Sequence, residues 1–85
     1  MRNKEERLAI DIAIGEELKA LREARKLSLQ SVAERVGITR QSVHAYEQGR
    51  ASISVQNLIK ICDIYGVKYF ELLERVARYA YKETI

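Results

Sequence analysis

Apolar residues recur along this chain at helical spacing, and capping residues and glycines punctuate the pattern. Ile14, Leu18 and Leu21 fall at i, i+4 and i+7 on one face, which predicts a first helix starting between Glu5 and Asp11 and ending near Arg25. Leu29, Val32, Ala33 and Val36 form the inner face of a short second helix behind Ser28, a good N-cap. Thr39 caps a third helix, Arg40 to Gln48, with Val43 and Tyr46 inward. Ser54 caps a fourth, Val55 to Tyr65, whose inward set is Val55, Leu58, Ile59, Ile61 and Cys62. A fifth runs from about Lys68 to Lys82.

Gly37, Gly49 and Gly66 each follow such a pattern, where a left-handed residue ends a helix. Gly15 lies inside a helical pattern, where glycine costs about 1 kcal/mol relative to alanine. A close approach by a neighbouring helix would account for it. With no proline and few residues that favour extended structure for more than three positions in a row, the expectation is an all-α domain of five helices.

Composition narrows the chemistry. The hydrophobic fraction of 47% is that of an ordinary globular chain, and 85 residues suffice for one domain with no room for a separate catalytic unit. Cys62 has no second cysteine to pair with, and one Cys with one His makes no zinc site. No apolar run approaches membrane-spanning length, and the charged start lacks the apolar stretch of a signal peptide. A cytoplasmic protein without metal or cofactor is expected. No nucleophile–base pair, carboxylate cluster or phosphate loop suggests an enzyme. The net charge of +3 is unevenly spread: residues 22–50 carry six basic and three acidic side chains, also a net of +3. A polyanion would meet that middle third.

The stretch Ser28 to Arg50 carries the strongest signal. Two short helices flank a turn centred on Gly37, with small Ala33 four residues before the glycine and Val43 six after it. Two helices crossing steeply over a turn of three or four residues need such features. The second helix then offers Arg40, Gln41 and Ser42 from its first turn, and Arg and Gln can bond guanine and adenine edges bidentately.

Residues 14–73 resemble the phage-repressor or Cro-type helix-turn-helix family, also called the xenobiotic-response-element family. The resemblance rests on Ile14 to Arg22, Ser28, Val32-Ala33, Gly37-Ile38, Val43, Tyr46-Glu47, Gly49-Arg50 and Asn57 to Val67. It implies a five-helix lambda-repressor-like domain whose third helix reads double-stranded DNA. By position it implies base contacts from Arg40, Gln41 and Ala45, and phosphate contacts from Gln30, Ser42, His44, Gln48, Arg50 and Ser52. It further implies an ion pair between Arg22 and Glu47. Two positions depart from the pattern: Leu29 stands where the family often has Gln, leaving Gln30 to replace it, and Ile53 stands where Pro is common.

On this reading the chain divides into an N-terminal extension (1–13), the DNA-binding domain (14–73) and a C-terminal helical extension (74–85). Leu8, Ile10, Ile12 and Ala13 at one end, and Phe70, Leu73, Val76, Ala77 and Ala80 at the other, are more apolar surface than a small monomer buries easily. The second set is expected to form a homodimer interface, with mutual packing of the two extensions as the alternative. The expected function is a transcriptional regulator, in the first instance a repressor occluding a palindromic operator. Two other readings stay open: an antitoxin that autoregulates and binds a toxin, and a protein-interaction module of the same fold that never meets DNA.

Overall fold

The computed structural model describes residues 8–81. It contains five helices and, among the described residues, no strand: α1 (Ala9–Ala24), α2 (Leu29–Val36), α3 (Arg40–Glu47), α4 (Val55–Tyr65) and α5 (Tyr69–Tyr81). The local chemistry sets the starts. Ser28, Thr39 and Ser54 sit in extended backbone, and their hydroxyls accept hydrogen bonds from the N–H groups of Ser31, Ser42 and Asn57. Two of the ends are set as locally. Gly37 and Gly66 take φ of 87° and 72° and close α2 and α4 in the left-handed region. A start at Glu5 for the first helix and an end at Lys82 for the fifth lie outside the described residues.

One core joins all five helices: Ile14 and Leu18 of α1, Val32, Ala33 and Val36 of α2, Val43 of α3, Leu58, Ile61, Cys62 and Tyr65 of α4, and Leu72 and Val76 of α5. α1 packs most extensively against α5 and α3. The boundaries expected after residues 13 and 73 fall inside α1 and α5, and Ile10, Ala13 and Leu73 pack on this same core.

That packing divides the expected dimer stripe. Val76 is 0% exposed and belongs to the chain's own core, while Leu73 and Ala80 are half-buried. Only Phe70 and Ala77 of the set are exposed. The cause is periodicity: Leu72 and Val76, one turn apart, point at the core that α1 helps to build. A helical stripe shows that something covers it but not which chain does. The Leu8–Ile12 segment likewise packs inward at Ile10 and Ile12. Two α4 residues depart in the other direction, since Val55 is 66% and Ile59 41% exposed. The core face of α4 is centred on Leu58, Ile61, Cys62 and Tyr65 and leaves them on its flank.

Candidate nucleic-acid interface

α2 and α3 are joined by Gly37, Ile38 and Thr39. The N–H groups of Gly37 and Ile38 both donate to the Ala33 carbonyl, at 2.8 and 3.0 Å, turning the chain sharply. Ala33 is small enough, and Val43 branched enough, for the helices to meet there with both side chains buried. α3 thereby buries Val43 and Glu47 and leaves Tyr46 half-buried. Its opposite face, by the 3.6-residue period, consists of Arg40, Gln41, His44, Ala45 and Gln48. Arg40, Gln41 and His44 are exposed, and Ala45 and Gln48 are half-buried. Neither Arg40 nor Gln41 takes a side-chain hydrogen bond among the described residues.

Two contacts fix α3 against α1. Arg22 donates from Nε to Glu47 Oε2 at 2.7 Å and from Nη2 to Oε1 at 3.1 Å, a bidentate pair. Its Nη1 donates to the Leu27 carbonyl at 2.8 Å, so the guanidinium also braces the link into α2. The Glu47 side chain is 2% exposed. The hydrogen bonds to Glu47 raise the Arg22 pKa despite the opposing effect of desolvation. The second contact explains Gly15. A methyl group there would lie under 3.0 Å from the Tyr46 and Glu47 carbonyl oxygens and the Glu47 carbonyl carbon. Glycine lets the end of α3 rest directly on the backbone of α1.

The expected phosphate contacts separate into groups. Arg50 is exposed just beyond α3, with Nη2 3.4 Å from His44 Nδ1, so these two candidates share one patch. Ser42 lies to the side, half-buried, its Oγ accepting from Thr39 Oγ1 at 2.9 Å. Gln30 is exposed on α2 and donates to Glu34 Oε2 at 3.0 Å. Ser52 is exposed between α3 and α4, and its Oγ donates to Asp11 Oδ2 at 2.6 Å.

Asp11, only 6% exposed, is the functional candidate that the sequence pattern concealed. Its signal was a lone carboxylate in the run Ile10-Asp11-Ile12-Ala13-Ile14, read there as an apolar extension. Arg25 was also missed: it donates from Nε to the Tyr65 carbonyl and ties the α1 terminus to the end of α4.

Two short helices around a glycine turn, the second held by its inner face with polar side chains outward, define a helix-turn-helix unit. The chain belongs to the helix-turn-helix family of the Cro/C1 type, whose model matches residues 18–72. Among curated proteins it is 35% identical over 60 residues to the antitoxin PezA of Streptococcus pneumoniae, covering 71% of this chain and 38% of that protein. It is 40% identical over 60 residues to the prophage-derived HTH-type transcriptional regulator YonR of Bacillus subtilis, covering 71% of this chain and 56% of YonR. The chain thus spans roughly two-fifths to three-fifths of the length of the relatives it matches.

Among solved structures, the clp gene regulator ClgR of Corynebacterium glutamicum superposes with a TM-score of 0.78 at 21% identity, over 88% of this chain and 80% of ClgR. The restriction-modification controller protein C.AhdI of Aeromonas hydrophila gives a TM-score of 0.69 at 29% identity, over 73% of this chain and 94% of C.AhdI.

Proposed function

We propose that this protein is a sequence-specific DNA-binding transcriptional regulator rather than an enzyme, with α3 lying in the major groove. The observation that carries this reading is the outer face of α3. Arg40 and Gln41, whose donors and acceptors suit base edges, stand exposed on a helix whose inner face is fixed by Val43, by the Gly15 contact and by the Arg22–Glu47 pair. Ala45 offers a methyl group to thymine. Gln30, Ser42, His44, Gln48 and Arg50 flank this face and contact the backbone. The names of YonR and C.AhdI, a transcriptional regulator and a controller protein, agree with it.

The protein acts in the cytoplasm as a homodimer on a palindromic site, and needs no metal or cofactor to do so. It represses by occluding the operator. No described helix is long and apolar enough to cross a membrane. Selection of bound sequences from a random DNA pool tests the reading. A palindromic consensus with half-sites one helical turn apart is expected. Recovery of unenriched sequence at every salt concentration would sink it.

The similarity to PezA supports a second reading, in which the chain also binds a toxin protein. A stable complex with a protein encoded beside it, together with retardation of its own promoter DNA, would favour that reading.

A further inference from the structure

The family match begins at residue 18, yet α1 begins at Ala9. The contacts of the half-helix ahead of the match show what it touches. Ser52, in the segment between α3 and α4, donates its hydroxyl to buried Asp11 at 2.6 Å. Gly49, at φ 71°, lies so close to α1 that a methyl group there would be 2.9 Å from Ile12 Cα and Cγ1. Ile53 packs on the core. The N–H groups of Gly49 and Arg50 donate to the Tyr46 and Ala45 carbonyls, and the Ser54 carbonyl accepts from Leu58. Among the described residues, Ala51 and Ile53 make no backbone–backbone hydrogen bond, so the middle of the segment depends on side chains and close packing. Arg50 projects from this segment.

We propose that Asp11 is a positioning residue for the DNA-contacting loop: by holding Ser52 it sets the course of residues 49–54, and so the place from which Arg50 reaches a phosphate. The inference rests on the DNA-binding reading above and deepens it. Charge alone argues the opposite role, since a carboxylate near a polyanion repels it. Burying a carboxylate also costs free energy unless hydrogen bonds offset it, and a hydroxyl from the loop is one such bond. If the bond matters more than the charge, its loss weakens DNA binding although a negative charge has been removed. That reversal of sign is what makes the proposal testable.

The experiment uses the full chain as Asp11→Ala, Asp11→Asn, Ser52→Ala, Arg50→Ala and the Asp11→Ala/Arg50→Ala double variant. In the free protein, amide hydrogen exchange at residues 49–54 should quicken about fivefold in Asp11→Ala and Ser52→Ala, the scale of one lost hydrogen bond, with α2 unchanged. On DNA, both variants should bind more weakly and lower the slope of log affinity against log salt by about one, as Arg50→Ala does. The double variant should lose no more than Arg50→Ala alone.

Unchanged loop exchange, or losses that add fully in the double variant, would overturn the proposal. So would a gain in affinity in Asp11→Ala, which would make Asp11 a mere repulsive charge. If Asp11→Ala does not fold, Ser52→Ala breaks the same bond from the exposed side. If the unsubstituted protein retards no DNA, the DNA-binding reading fails, while the exchange measurement still decides whether Asp11 holds the loop.

Discussion

Arg40 is the first residue of α3, and its guanidinium stands in solvent at the point where a groove-bound helix meets base edges first. Replacing it by alanine should cost about 1–3 kcal/mol of specific binding and relax the preference at one base pair of each half-site. Equal losses on specific and random DNA, measured by titration, would make it a phosphate contact instead. Tyr65 illustrates a residue whose consequence is for stability. Its ring is buried, and its hydroxyl has no hydrogen-bond partner among the described residues. Burial, and then the charge of Glu47, push its pKa from 10.0 up to about 12. Between those values an unfolded chain releases a proton that the folded chain keeps. Stability due to Tyr65 is therefore intact below pH 10 and falls as pH rises through that window, by up to about 1.4 kcal/mol per unit. Tyr65→Phe should match or exceed the parent at pH 8 and lose less stability by pH 11 in urea titrations. A variant less stable at pH 8 would mean that the hydroxyl is satisfied, for example by a bound water.

At the scale of elements, the site depends on how α3 rests on α1. Gly15→Ala should gain up to about 1 kcal/mol of helix propensity yet lose more, because backbone atoms of α3 cannot move aside as a side-chain tip can. A net loss of about 1–3 kcal/mol in chemical denaturation is expected, with weaker DNA binding in the folded variant. An unchanged midpoint would show that the helices separate freely. Glu47→Ala should cost about 3–5 kcal/mol, since it strands the Arg22 guanidinium, whose side chain is 12% exposed. A thermal shift of only a degree or so would place the pair among surface pairs of little worth.

The sequence made this level largely readable. Ser28, Thr39 and Ser54 announce three helix starts through their own side chains, and Gly15 announces a close approach, because these causes are local. Asp11 and Ser52 are 41 residues apart, and no local pattern marks that bond. Leu72 and Val76 have the right spacing for an interface, but the spacing is the same whether α1 or a second chain covers them.

For the whole molecule, the question is what a single recognition helix can achieve on DNA. One such helix engages about half a turn of groove, while specific affinities of about 10⁻⁸ M or tighter need more contacts than that. Two copies related by a two-fold axis place their α3 helices in successive major grooves, about 34 Å apart, and the second binds at high effective concentration. The surface available for that pairing is smaller than the sequence pattern suggests. Within α5, Leu72 and Val76 serve the chain's own core, and Phe70, 55% exposed, is the large apolar residue left from the expected stripe. Val55 and Ile59 of α4 add exposed apolar area. Two aspartate variants therefore separate self-association from folding. Val76→Asp buries a carboxylate at a position that is 0% exposed within the apolar core, so it should fail to fold, as circular dichroism would show. Phe70→Asp should keep the helical spectrum and a thermal midpoint near that of the parent, while sedimenting as a monomer and binding operator DNA much more weakly. Sedimentation of the unsubstituted chain at tens of micromolar carries the decision. A mass near the monomer's 9.8 kDa, with tight operator binding retained, would exclude a preformed dimer and require the two copies to meet only on DNA.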